Sequence, residues 1–207
     1  MNLFSFDKSF YDKNVGLIAG VDESGRGPLA GPVVAAAVVL PRGLVIPDLN
    51  DSKQLSEKKR KILFEIIKEK SLFYGVEFID SGTIDKVNIL QATFLAVCYA
   101  VAKLRERPSL CLIDGNRRVP GLFCEQETVV GGDSKSASIA AASVLAKVLR
   151  DKVMLEYSEL YPVYDFKKHK GYGTKEHIEF LRRYGVSPIH RLSFYPVRDY
   201  IASRPQV

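Results

Sequence analysis

Two apolar runs near the start of the chain, "VGLIAGVD" and "AGPVVAAAVVL", flank a glycine-rich stretch, and together they constrain the fold more than any other segment. Their β-branched content and their Gly and Pro boundaries favour strands over helices, so the stretch between them is a turn. That turn holds Asp22, Glu23, Gly25, Arg26 and Gly27. Neighbours in a regular strand face opposite sides of a sheet, so Asp22 and Glu23 serve one site only if the chain bends, and Gly25 and Gly27 supply a bend. Glycines also let backbone N–H groups approach a phosphate or a sugar, with Arg26 adding a charge-assisted contact or remaining an ordinary exposed arginine. The turn is neither a P-loop nor a dinucleotide fingerprint.

Downstream, "LSEKKRKILFEIIKEK" predicts an amphipathic helix with Ser56 as N-cap and Ile62, Leu63, Ile66 and Ile67 as its apolar stripe. "SLFYGVEFID" predicts a third strand, and "NILQATFLAVCYAVAKL" a mostly buried helix through Ile89, Leu90, Phe94, Val97, Val101 and Leu104. "SLCLIDG" gives a short strand ending on Asp114. "ETVVGGDSKSASIAAASVLAKVLRDKVMLEYSEL" then predicts a strand, a turn at Gly131 and Gly132, and a long helix whose Ala140, Ala141, Ala142 and Ser143 allow close packing on a sheet. A loop "HKGYGT" precedes a helix capped by Thr174, with Ile178, Leu181 and Tyr184 on one side and Gly185 at its end. Strands first and then alternating helices and strands indicate an α/β layered domain with a mixed sheet.

The 207 residues suffice for one substantial core. Of the net charge of +6, residues 1–146 carry 18 basic and 17 acidic side chains and residues 147–207 carry 12 and 7, so the excess sits in the last third. A basic flank beside acidic motifs suits a polyanion. Cys98, Cys111 and Cys124 show no CxxC pairing, which argues against a zinc knuckle or a disulfide framework and for core-filling thiols. The N-terminus lacks the features of a signal peptide and no later apolar run suggests a membrane span, so the cytoplasm is the expected compartment.

Asp22 with Glu23, Asp114 and Asp133 all fall where apolar strands end. Ligands collect at the carboxyl ends of strands in such sheets, so these carboxylates can converge on an oxygen-ligand cage for Mg²⁺ or Mn²⁺. Strand-end aspartates also cap turns, and spacing alone leaves both readings open.

Taken in order, "GVDESGRGPLAGP", "DSKQLS", "IDG", "GGDSKSASIAAASVLAKVLRD", "HKGYGT" and "PIHRLSF" resemble the ribonuclease HII family over residues 17 to 195. The related ribonuclease HIII family carries a lysine-containing turn where this chain has "GRG". The resemblance implies a ribonuclease H-like mixed β-sheet flanked by helices with a helical C-terminal region: a single domain over 1–207, with 1–160 as catalytic core and 161–207 as extension. It implies an endonuclease that cuts the RNA strand of RNA–DNA hybrids and cuts 5′ of single ribonucleotides embedded in duplex DNA, leaving 3′-hydroxyl and 5′-phosphate ends. By the same resemblance Asp22, Glu23, Asp114 and Asp133 hold two Mn²⁺ or Mg²⁺ ions in the substrate complex. Gly25, Arg26, Gly27 and Tyr172 read the 2′-hydroxyl and the adjoining deoxyribose. Lys53, Lys170, Ser134 and Lys135 are further substrate contacts, while His169, His190 and Arg191 lie in the same motifs, the last two tying the C-terminal region to the core. The expected partners are the two nucleic-acid substrates, with the protein a monomer. The tail "DYIASRPQV" shows no clamp-binding peptide.

Overall fold

The computed structural model describes residues 3–13 and 15–203. Its centre is a five-stranded mixed sheet in the order β3-β2-β1-β4-β5, with β1 Ile18–Ser24, β2 Val33–Val39, β3 Phe73–Ile79, β4 Leu110–Asp114 and β5 Glu125–Val129. Strand β2 runs antiparallel to both β1 and β3, whereas β4 lies parallel to β1 and β5 parallel to β4. Every residue of β2 is buried, because helices cover both faces of the sheet.

Alternation along the strands sorts side chains into two cores. Ala19, Val21, Ala35, Ala37, Cys111 and Ile113 pack towards helix α3 (Ser81–Ala102). Ala36 and Val38 face the other way, towards α2 (Glu57–Lys70) and α4 (Ala137–Leu160), while Ile18, Leu110 and Leu112 meet Ile139 of α4 and Phe10 of α1 (Leu3–Tyr11). The alanines of α4 allow the approach foreseen from sequence, and Gly20 completes it. A Cβ there would lie 2.0 Å from the Ser138 carbonyl carbon.

Several sequence expectations need correction. Ile62 of α2 is exposed, and the buried stripe consists of Leu63 and Ile67 with Ile66 partly covered. Helix α3 begins at Ser81, capped by Asp80, rather than near Asn88. Asn88 (φ 67°) interrupts the helix, and its side-chain oxygen accepts from Leu90 and Gln91 N–H, so the predicted start is a second cap. Over its 22 residues α3 is long and apolar enough to cross a membrane by length and composition, contrary to the sequence reading. The break at Asn88 and the burial of Ala92, Ala96, Val97 and Ala100 against the sheet identify it as a core helix, although only one face is covered. Tyr184 is exposed, leaving Leu181 as the buried anchor of its helix.

Helix α1 was absent from the sequence reading. Its buried Asp7 accepts from both the N–H and the hydroxyl of Ser138, which docks α1 on the N-terminus of α4. Beyond α4 the chain forms α5 (Phe166–His169), α6 (Lys175–Tyr184) and α7 (Val197–Ala202). These helices gather on Met154, and on Leu29 and Ala30 of the turn after β1. Residues 204–207, the end of the tail inspected for a clamp-binding peptide, lie outside the described residues.

All three histidines of the chain meet in this C-terminal layer. His177 Nε2 lies 3.0 Å from His190 Nε2, and the His169 and His177 rings stack at 4.3 Å. Burial first, then the charge of His169 on His177 and of His177 on His190, depresses His177 to about 4 and His190 to about 3. Below its ordinary value of 6.5 each histidine takes up a proton in the unfolded state before the folded one, so their stabilising contribution is present above that value and lost as pH falls towards 4 and 3. Hydrogen exchange corrected for intrinsic rate is expected to show the segment from Phe166 to Arg191 opening more readily at pH 5 than at pH 7, relative to β1 and β4. Equal opening at the two pH values would contradict this.

Candidate active site

The register of the sheet assembles the acidic cluster. Val21 pairs with Ile113 in the parallel β1–β4 ladder, so Asp22 and Asp114, one residue further along, stand side by side on the α4 face. Asp133 reaches them from the 3₁₀ turn Gly132–Ser134 that leads into α4. One carboxylate oxygen from each of the three lies within 4.8 Å of the others. Local bonds fix the set. The Gly132 N–H donates to Asp114 Oδ1 at 2.7 Å, and Gly132 has no room for a side chain, since a Cβ would sit 2.5 Å from Ile139 Cδ1. The Glu23 N–H donates to Asp22 Oδ1 at 2.7 Å, and Lys53 Nζ reaches Asp133 Oδ2 at 3.1 Å.

Glu23 is placed differently from the expectation. Strand β1 stays regular through Ser24, with Glu23 opposite Ala35, so the bend begins only at Gly25 (φ 98°). Asp22 and Glu23 therefore point to opposite faces. Glu23 lines a small cleft of about 120 Å³ with Asp114 and Asn116 on the α3 side, where Arg26 Nη1 donates to its Oε1 at 3.2 Å.

Like charges at low exposure resist ionisation. Burial, reinforced by the charges of Glu23 and Asp114, holds the Asp22 carboxyl well above the usual carboxylate range. Burial also raises Asp133 against the opposing pull of Lys53, and raises Glu23 against that of Arg26. An all-oxygen donor set with an excess of negative charge fits a hard divalent cation, and Asp22, Asp114 and Asp133 are the residues that would hold it.

Beside the acids lies a second surface. Tyr172, 44% exposed, presents its ring next to Gly27, where an added Cβ would meet nothing nearer than Tyr172 Cε1 at 3.9 Å. Two arginines, overlooked as site residues in the sequence, hold this surface together. Arg150 of α4 and Arg191 are fully buried, and their guanidinium groups are spent on backbone carbonyls. Arg191 donates to the Gly25, Arg26 and Gly31 carbonyls at 2.6 to 3.0 Å. Arg150 donates to Ala30, Pro32 and Lys170 at 3.0 to 3.1 Å, linking the glycine turn to the "HKGYGT" loop. Burial lowers both guanidinium pKa values, yet a full set of carbonyl acceptors keeps them charged at neutral pH. The only sequence signals for Arg191 and Arg150 were the motifs "PIHRLSF" and "GGDSKSASIAAASVLAKVLRD" that contain them.

The remaining expected contacts divide. Lys170 lies in a groove of about 570 Å³ between α2 and α4, together with Arg60, Lys61 and Lys152. Ser134 and Lys135 are exposed and bonded to the Gly131 and Val130 carbonyls, with no bond to the acidic cluster.

With this geometry in place, comparison with known proteins becomes informative. The family model for ribonuclease HII matches residues 19–197. The chain belongs to the ribonuclease HII family. A ribonuclease HII from Endomicrobium trichonymphae is 66% identical over 201 residues, covering 97% of this chain and 96% of that protein. The crystal structure of ribonuclease H2 from Pyrococcus horikoshii OT3 superposes with a TM-score of 0.76 at 27% identity, covering 89% of this chain and 97% of that one. Bst-RNase HIII in complex with Mn²⁺ shares the fold, with a TM-score of 0.69 at 19% identity over 90% of this chain and 69% of that one. As a ribonuclease HII the protein is a type 2 ribonuclease H, an endonuclease acting on RNA–DNA hybrids, in a family that depends on divalent metal.

Two predictions follow from the geometry. A carboxyl whose folded pKa lies above its unfolded value favours the native state only when protonated, so the metal-free protein loses stability as pH rises through the raised value of Asp22. In chelator, Asp22→Asn is expected to raise the thermal midpoint at pH 7.5 by several degrees, with the gain shrinking towards pH 4; a lower midpoint in the variant would contradict the repulsion. Gly25 and Gly27 should also part company. Gly25→Ala, with positive φ and Arg150 Nε 2.1 Å from the new Cβ, is expected to destabilise by roughly 1–3 kcal/mol, whereas Gly27→Ala stays within about 0.5 kcal/mol of the parent in denaturant unfolding.

Proposed function

We propose that this ribonuclease HII cuts on the 5′ side of a single ribonucleotide embedded in duplex DNA, as well as within longer hybrids, leaving a 3′-hydroxyl and a 5′-phosphate. The observation that carries the reading is the adjacency of two surfaces: the carboxylates of Asp22, Asp114 and Asp133, the first and last buried and Asp114 partly so, and the turn Gly25–Gly27, exposed at Arg26 and Gly27, with Tyr172 beside it. Divalent cations, when bound, supply water activation and stabilisation of the departing 3′-oxygen. Asp22, Asp114 and Asp133 would hold them on the α4 face, and Glu23, which accepts from Arg26 on the other side of β1, would complete the set.

Selection of the ribonucleotide falls to the turn. Carboxylates and cations do not distinguish sugars, so the 2′-hydroxyl must be read by other groups. Gly27 is a glycine that the chain itself does not need, since space and backbone both accept a side chain there. The open space beside Tyr172 is therefore kept for the substrate. In this reading the bare backbone of the turn meets the 2′-hydroxyl, and the Tyr172 ring stacks on the following deoxyribose. The carbonyls on Arg150 and Arg191 hold both elements at one spacing. Lys53 leaves Asp133 to meet a phosphate when cations neutralise the cluster, and the basic groove at Lys170 follows the duplex backbone.

The test is a labelled DNA duplex with one ribonucleotide, set beside an all-DNA duplex and a long hybrid, in Mg²⁺, Mn²⁺ and chelator. A metal-dependent cut just 5′ of the ribonucleotide, with all-DNA intact, is expected. Asp22→Asn and Asp114→Asn should abolish cutting, and Tyr172→Ala and Gly27→Ala should slow it at least about tenfold with little change in duplex affinity, a loss of roughly 1.4 kcal/mol or more in transition-state stabilisation. Cutting confined to long hybrids would discard the reading of the junction while keeping the metal site.

A further inference from the structure

Cys111 and Cys124 sit away from the acidic cluster and take no part in the reaction above. Cys111 is the second residue of β4 and fully buried, while Cys124 immediately precedes β5 and is half-buried. In the β4–β5 register Cys111 lies opposite Gln126, so Cys124, two residues earlier, shares its face of the sheet. Their sulfurs are 3.0 Å apart, against about 2.05 Å in a disulfide. The third thiol, Cys98 of α3, donates to the Pro120 carbonyl at 3.6 Å while lying near enough to Cys124 to feel its charge.

We propose that Cys111 and Cys124 are an oxidisable dithiol that closes to a disulfide under hydroperoxide. The two sulfurs differ in the way such a pair requires. Cys124 borders an open groove of about 560 Å³ with Arg107, Leu122 and Phe123, so a small oxidant reaches it, whereas Cys111 is sealed from solvent. The hydrogen bond from the Cys111 thiol, helped by the Arg107 charge, lowers the Cys124 thiol below its ordinary value, and the same bond with burial keeps Cys111 protonated. The Cys124 thiolate attacks a peroxide oxygen, forming an S–O bond as the O–O bond breaks, and the leaving oxygen takes a proton from solvent as water or alcohol. Cys111 sulfur then displaces hydroxide from the sulfenic acid, forming the S–S bond, and its thiol proton leaves with that hydroxide as water. Two thiols lose two electrons and one peroxide gains them.

The bond would staple the loop that follows the catalytic strand. The ring from Cys111 to Cys124 encloses Asp114 and the segment carrying Asn116, which is otherwise held by the Gln126 amide on both the N–H and the carbonyl of Val119. The pair lies on the α3 face, so the bond forms on the opposite side of the sheet from the carboxylates of Asp22 and Asp114.

The test treats the folded, reduced full-length protein with hydrogen peroxide, alkylates the remaining thiols after denaturation and maps the peptides. Loss of two hydrogens in mass, a Cys111–Cys124 linkage and an alkylated Cys98 are expected. Three alkylated thiols, or a linkage through Cys98, would overturn the proposal. Cys124→Ser, at a half-exposed position, should leave Cys98 and Cys111 both alkylated under the same treatment; a disulfide in that variant would count equally against it.

Discussion

Everything at the working end of this protein answers to one electrostatic constraint, the confinement of several carboxylates where water cannot screen them. Asp22 and Asp114 are forced together by the parallel pairing of β1 and β4, and Asp133 is delivered to them by a turn whose Gly132 N–H is bonded to Asp114. The sheet cannot relax this crowding. Its central strands are locked between two cores, and Gly20 is pressed directly against the backbone of α4. The folded chain therefore keeps a concentration of negative charge that only protons, Lys53 or cations can offset. That stored repulsion suits the site to a hard divalent cation better than to a row of turn caps.

The positive counterpart is equally buried and lies a few residues away. Arg150 and Arg191 face carbonyl oxygens, so their charge is solvated by the very backbone they position. A surface turn would drift relative to the metal cluster. Here Gly25, Arg26, Ala30 and Gly31 are bonded through two side chains to α4 and to the tail, and Lys170 joins the same network. Tyr172 is held in its turn by His177, whose Nδ1 lies 2.9 Å from the Tyr172 carbonyl. The C-terminal layer thus fixes the spacing between the residues assigned to the sugar and those assigned to the metal, and its neutral histidines place a lower limit on the pH at which that spacing holds.

Much of this was legible in the chain. Valine-rich runs between glycines and prolines marked β1 and β2, and the strand-end positions marked Asp22, Glu23, Asp114 and Asp133 as a group, of which Asp22, Asp114 and Asp133 come together. What sequence could not supply was facing. Asp22 and Glu23 face opposite sides if the strand is regular and one side if it bends, and only the pairing of Glu23 with Ala35 and the bend at Gly25 decide between the two. Helix α1 escaped notice because its anchor joins Asp7 to Ser138, 131 positions away. Arg150 reads as one more charge on a long helix until its carbonyl partners, more than a hundred residues earlier, are brought beside it. Ile62 shows the converse, an apolar residue on the helical stripe that the neighbouring helix does not reach.

The most direct test of the central claim is the count of protons released when Mn²⁺ binds the free protein, measured by titration calorimetry at pH 5.5 in buffers of different ionisation heat. If Asp22 and Asp133 are held above their ordinary titration by burial and by neighbouring carboxylates, cation binding must expel protons from them. The account predicts measurable release that grows as the pH is lowered and is diminished in Asp22→Asn. Binding with no proton release at any pH would show that the carboxylates are fully ionised before the cation arrives, and would contradict it.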